Sequence, residues 1–226
     1  MKKNSYWEKY KKDFKHKSSF NSFSKKLDYK YIGRVKTDFN QIENLIKKLE
    51  KIKQVESAVE KNPSIKNKKV ISKINSYVSW GYSNQNTKFY RAFSKDHEKI
   101  FSKFIKMTKL DMAVSSIIKQ HPGQTVPWHR DNYFAFAKSI ENKGVKINKK
   151  KIIRYMIFLS DWDFGHFFSV GSSIVNKWKK GDIITWEPHM HHCGCNGGMT
   201  PKVTMNITGL SNSNSIHNSN KKIFSI

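Results

Sequence analysis

Apolar residues first recur at helical spacing. Ile42, Leu45, Ile46 and Leu49 stand three or four apart, with Lys and Glu on the opposite face, and they predict a helix over 38–61. Thr37 or Asp38 can cap its start, and Asn62-Pro63 ends it. A second stripe, Ile100, Phe101, Phe104, Ile105 and Met107, predicts a helix over 95–108. Both stripes read as faces that pack on a sheet. From about residue 111 the period changes. MAVSSIIKQ reads as a strand, HPGQTVPWHRD carries two prolines and a glycine, and NYFAFAKSI reads as a further strand. After a solvated loop at 141–150 come KIIRYMIFLSDW, HFFSVGSSIV, GDIITWEP and PKVTMNITGL, with a turn at 176–180. Short β segments parted by turn residues, with no helix between them, indicate a sandwich or barrel. The expected organisation is one domain over 31–210, with helical support at 38–108 and a β core at 110–210. Residues 1–30 read as a basic, loosely ordered arm, and the Ser/Asn-rich 211–226 as a flexible tail.

Composition narrows the setting. A chain of 226 residues with 37% hydrophobic positions can bury one core. The net charge of +26 attracts phosphates. However, of the 43 basic residues only Arg34, Arg91, Arg130 and Arg154 are arginines. Base and phosphate readout favours arginine forks, so nucleic-acid binding is weakly supported. Cys193 and Cys195 read as reduced thiols, which suits a cytoplasmic setting, and a lone C-x-C lacks the second pair of a structural zinc site. The amino terminus is charged but has no apolar stretch behind it, and no window approaches a membrane span.

The candidate chemistry starts at Trp128-His129-Arg130-Asp131. On an extended chain His129 and Asp131, two apart, project to the same side and can offer a nitrogen and an oxygen to one metal. Histidines cluster again at His189, His191 and His192, and any of these could be the third ligand. Two imidazoles and one carboxylate on one face of an octahedral ion leave three positions open. That suits Fe(II), with a chelating cosubstrate and dioxygen in those positions. Farther on, Lys202, Thr204, Asn206 and Thr208 alternate along an apolar strand. A buried lysine there costs several kcal/mol unless an anion meets it.

The order W-H-x-D, an apolar strand, G-D-x-x-x-W, H-x-x-x-N-x-G, then P-K-x-T-x-N-I-T-G resembles the 2-oxoglutarate/Fe(II)-dependent dioxygenases. More narrowly it is similar to small oxygenase-like proteins of viruses of marine bacteria. The resemblance covers about residues 110–210. It implies a mainly β fold with flanking helices, a double-stranded β-helix of the cupin-like jelly-roll kind. It implies Fe(II) held by His129, Asp131 and His192, with His189 as the alternative; Asn196 and Lys202 follow His192 at the family's spacing. It assigns the far carboxylate of 2-oxoglutarate to Lys202, or to Arg154 on a neighbouring strand, with a hydroxyl from Tyr155 or Thr204. The implied activity consumes 2-oxoglutarate and dioxygen, with ascorbate as a reductant, to hydroxylate a C–H bond. A protein or peptide side chain is the first substrate class, a nucleic-acid base the second and a small metabolite the third. The competing expectation is a cupin-like binding or structural module that has lost the chemistry.

Overall fold

The computed structural model of the chain describes residues 27–52, 55–59, 68–131, 133–148, 151–188 and 190–226. The elements run β1 (Tyr29–Lys36), α1 (Asn40–Ile52), β2 (Val55–Ser57), α2 (Lys68–Ser79), α3 (Asn84–Thr87), β3 (Lys88–Phe93) and α4 (Glu98–Thr108). Then follow β4 (Asp111–Gln120), β5 (Thr125–His129), α5 (Phe134–Glu141), β6 (Ile152–Phe158), β7 (His166–Val170) and β8 (Ser173–Val175). The last strands are β9 (Asp182–Trp186), β10 (His192–Asn196), β11 (Lys202–Leu210) and β12 (Ile223–Ser225). The larger sheet has the order β12-β1-β9-β6-β11-β4-β3-β2, and the smaller β5-β10-β7-β8. The fold is a double-stranded β-helix jelly roll, mainly β with flanking helices.

Alternation along β11 explains how the larger sheet serves two environments. Val203, Met205 and Ile207 join the core under the helices, where Leu45 and Leu49 of α1 and Phe101 and Phe104 of α4 are also buried. Lys202, Thr204 and Asn206, one position out of phase, line a cavity between the sheets. A second apolar cluster, including Phe158, Phe168, Trp178, Ile184 and Trp186, closes the space between the sheets beside that cavity.

The structure departs from the sequence pattern in four places. Helix α1 stops at Ile52, where the apolar stripe ends, and Val55–Ser57 pairs antiparallel with β3 instead of continuing the helix. Asp38 does support its start, its Oδ1 accepting the Asn40 N–H at 2.9 Å. The segment NYFAFAKSI is not a strand: Phe134–Glu141 is helical, burying Ala137 and Ile140 three apart while Phe134 stays 63% exposed. The Phe-Ala-Phe-Ala alternation mimics a period of two. In place of a free tail, residues 211–226 fold back on the domain. Ile216 and Phe224 are buried, and β12 runs parallel to β1. The Ser and Asn residues there serve local turns, such as the Ser215 Oγ that accepts the Asn212 N–H at 2.9 Å. Gly33, at φ +152°, permits this docking, since a Cβ there would lie 2.3 Å from the Lys222 carbonyl oxygen. Of the expected arm, residues 1–26 lie outside the described residues, whereas Tyr29 and Lys30 already belong to β1. Among the described residues no helix is long and apolar enough to cross a membrane.

Candidate metal centre

Strands β5 and β10 pair antiparallel with His129 opposite His192, which sets the two imidazoles 4.3 Å apart between ring centroids. Asp131 follows two residues after His129. Its Oδ1 lies 3.9 Å from His129 Nε2 and its Oδ2 3.5 Å from His192 Nε2. One ligand atom from each of the three residues falls within 4.8 Å of the others. Each imidazole is oriented through its far nitrogen. His129 Nδ1 is 2.8 Å from the Pro127 carbonyl and His192 Nδ1 is 3.1 Å from the Met190 carbonyl. A carbonyl only accepts, so Nδ1 carries the proton in both rings and each Nε2 presents a lone pair. Burial pushes both imidazoles below the ordinary histidine range, His192 to about 3, so both are neutral near pH 7. Two nitrogen lone pairs and a carboxylate therefore converge with no hydrogen-bond donor among them, an arrangement that favours a cation at their centre.

Arg154, on β6, holds the carboxylate. Its Nη1 donates to Asp131 Oδ2 at 2.6 Å and its Nε to Thr208 Oγ1 at 3.0 Å. Burial alone would raise the Asp131 carboxyl; the Arg154 guanidinium, followed by the two imidazoles, reverses this and brings it to about 2. Asp131 is thus ionised at any physiological pH. This guanidinium is turned towards Asp131, and Arg154 also lines the cavity into which the triad opens.

The triad opens into a cavity of about 450 Å³ that is also lined by Lys202, Thr204 and Asn206 of β11, Gln120 of β4 and Trp186 of β9. Lys202 is 2% exposed. Its Nζ donates to the Phe167 carbonyl at 3.0 Å and to Gln120 Oε1 at 3.2 Å, and it meets no carboxylate among the described residues. Burial lowers its ammonium from 10.5 to about 8. Gly194 leaves room for it, since a Cβ there would lie 3.0 Å from Lys202 Nζ. Among the described residues two further polar atoms in this wall are buried without a partner, the donor Trp186 Nε1 and the acceptor Asn206 Oδ1. Buried polar atoms are nearly always satisfied, so the Lys202 ammonium and the spare Trp186 N–H donor fit an anionic ligand. The N,N,O donor set beside it, two neutral imidazoles and one carboxylate, fits Fe(II) or a similar divalent ion.

Other sequence-derived candidates stand elsewhere. Tyr155 is on the opposite face of β6 from Arg154, fully buried in the helix-side core, where its hydroxyl pairs with His217 Nδ1 at 2.5 Å. It therefore has no access to the cavity, which corrects its assignment to the cosubstrate. Thr204 does face the cavity, on the same side of β11 as Lys202. His191 is buried but does not line the cavity, and His189 lies outside the described residues. Asn196 is a clasp: its Nδ2 donates to the Gln120 and Thr200 carbonyls at 2.9 and 2.8 Å, and its Oδ1 accepts the Gly198 N–H at 3.0 Å. Cys193 and Cys195 are free thiols. Sequence reasoning missed Gln120, which sits opposite Lys202 in the β4–β11 register and orients its ammonium.

No protein-family model matches the chain, and no curated protein matches it in sequence. Solved structures do. The non-heme alpha-ketoglutarate-dependent carbocyclase SnoK from nogalamycin biosynthesis is similar over 86% of this chain and 84% of its own, at 12% identity and a TM-score of 0.53. A predicted oxalate decarboxylase from Thermotoga maritima aligns over 55% of this chain and 82% of its own, at 14% identity and a TM-score of 0.35. A cupin protein from Bacteroides fragilis aligns over 45% and 68%, at 17% identity and a TM-score of 0.32. At 12% identity the likeness to SnoK concerns the fold alone.

Proposed function

We propose that this chain is a 2-oxoglutarate- and Fe(II)-dependent oxygenase that hydroxylates an organic substrate. One observation carries the reading: a neutral His-His pair with an ionised Asp opens into the same cavity as a buried lysine that meets no carboxylate among the described residues. His129, Asp131 and His192 would hold the metal. Lys202, steadied by Gln120, would meet the remote carboxylate of the cosubstrate, and the Thr204 hydroxyl would hydrogen-bond to it. Fe(II) with 2-oxoglutarate supplies the activation of dioxygen for attack on a C–H bond.

The chain's own contribution is placement and exclusion of water. Arg154 keeps Asp131 ionised and fixes its Oδ2. The Pro127 and Met190 carbonyls fix both imidazole tautomers. The ring of Trp186, 4.9 Å from that of His192, forms an apolar wall beside the centre. The test is release of succinate from 2-oxoglutarate by purified protein under air, with and without Fe(II). Fe(II)-dependent succinate that disappears in His129→Ala supports the oxygenase. Succinate formation no faster than in buffer, with the metal bound, would leave a cupin-like binding module instead.

A further inference from the structure

The cavity has a second cation without an assigned role. Lys73, on α2, lines the same space as the triad and is half-buried. Its Nζ lies 5.4 Å from the centre of the Tyr77 ring and meets no carboxylate among the described residues. The acids that share this cavity are otherwise engaged: Asp131 with Arg154 at 2.6 Å, and Glu56 with Arg91 at 2.6 Å. Helix α2 is fixed at this point, because the Tyr77 hydroxyl donates to the Trp128 carbonyl at 2.9 Å, one residue before His129. Lys73 is therefore held at the His129–Asp131 end of the cavity, whereas Lys202 is held near Gln120 and the Phe167 carbonyl. The same lining includes the apolar side chains of Val70 and Ile74, on the same helix as Lys73, and of Phe89 on β3. Arg91 Nε, buried without an acceptor among the described residues, adds a second donor to the lining.

An unbalanced half-buried ammonium beside apolar walls is costly in the free protein and is relieved when an anion arrives. A cavity of about 450 Å³ is of small-molecule size. We propose that the α2 side of the cavity takes a small organic anion, a carboxylate or phosphate ester, with its charge on Lys73 and its apolar body against Val70, Ile74 and Phe89. Treating this side as the substrate site rests on the oxygenase reading above; the anion preference itself does not.

The test is a binding series at fixed ionic strength, followed by calorimetry, on the metal-free protein and on protein loaded with Mn(II) and succinate. The probes are 4-phenylbutyrate, 3-phenylpropyl phosphate, 4-phenylbutanol and 4-phenylbutylamine. Wild type should bind one or both anions about tenfold or more tightly than the alcohol, the scale of a charge-assisted hydrogen bond in a shielded site. The tighter of the two names the anion. Lys73→Met, which removes no ion pair, should keep the thermal midpoint and lose this preference; Lys73→Glu should transfer it to the amine. Lys202→Met should retain it. Equal binding of alcohol and anions by wild type, or a preference that survives Lys73→Met and vanishes in Lys202→Met, overturns the proposal. If Mn(II) and succinate fail to bind while the Lys73-dependent preference persists, the oxygenase reading fails and the anion site stands.

Discussion

Replacing Lys202 with methionine should stabilise the ligand-free protein, although it removes a residue placed in the binding machinery. The ammonium is 2% exposed, has no anion beside it among the described residues, and is lowered from 10.5 to about 8 by burial. That difference corresponds to roughly 3 kcal/mol of destabilisation at pH 7. Methionine removes the charge but also two donated hydrogen bonds, to the Phe167 carbonyl and to Gln120 Oε1, at about 1 kcal/mol each. The net expectation is a gain of about 1 kcal/mol, or a rise of roughly 2–4 °C in thermal midpoint for a domain of this size. The pH dependence has a definite sign. Between about pH 8 and 10.5 the unfolded chain binds the Lys202 proton more readily than the fold does. Wild type therefore gains stability with rising pH across that window, and the advantage of the variant shrinks and then reverses. Paired urea titrations of wild type and Lys202→Met at pH 7, 9 and 10 measure this. A diacid such as succinate at about 100 times its Kd should add roughly 2.7 kcal/mol to wild type and little to the variant. A variant less stable than wild type at pH 7, with succinate affecting both alike, would refute the reading of Lys202 as an unbalanced cation awaiting a carboxylate.

Three further outcomes are expected. Metal-free wild type should lose several kcal/mol of stability as pH falls from about 6.5 towards 3, because the unfolded chain protonates His192 before the fold does, and Asp131 adds to the loss below its ordinary range; urea midpoints at pH 7, 5 and 4 should fall less steeply in His192→Gln. Gly33→Ala would put a Cβ against the Lys222 carbonyl, so residues 211–226 should undock and Lys221 and Lys222 become rapid trypsin sites, as followed by mass spectrometry. Tyr155→Phe should lose about 1 kcal/mol with its bond to His217, while calorimetry finds 2-oxoglutarate affinity unchanged.

The inner strands of the larger sheet were legible because period-two alternation on a buried sheet is a strong local signal, whereas β5 and β10, which carry His129 and His192, were not read as strands. β4, β6, β9 and β11 fall where apolar runs predicted them. His129 and Asp131 could be paired by spacing, but their meeting with His192 depends on the β5–β10 register, a long-range fact. Helix α5 was misread because alternating Phe and Ala satisfy a strand pattern locally, and only packing decides that Ala137 and Ile140 turn inward. β1, β2, β3 and β12 escaped notice because edge and near-edge strands are half-polar and borrow their stability from neighbours. The role of Arg154 towards Asp131 and the approach of Lys73 arise from contacts across strands and helices far apart in sequence, where local periodicity carries no information.

The most direct test is spectroscopic. Fe(II) and 2-oxoglutarate added together under argon to wild type should produce the weak visible charge-transfer absorption of a keto acid chelated to ferrous iron. Asp131→Ala should abolish it, and Lys202→Met should require much more 2-oxoglutarate to develop it. No absorption with wild type, or the same absorption with Asp131→Ala, would contradict iron binding by His129, Asp131 and His192.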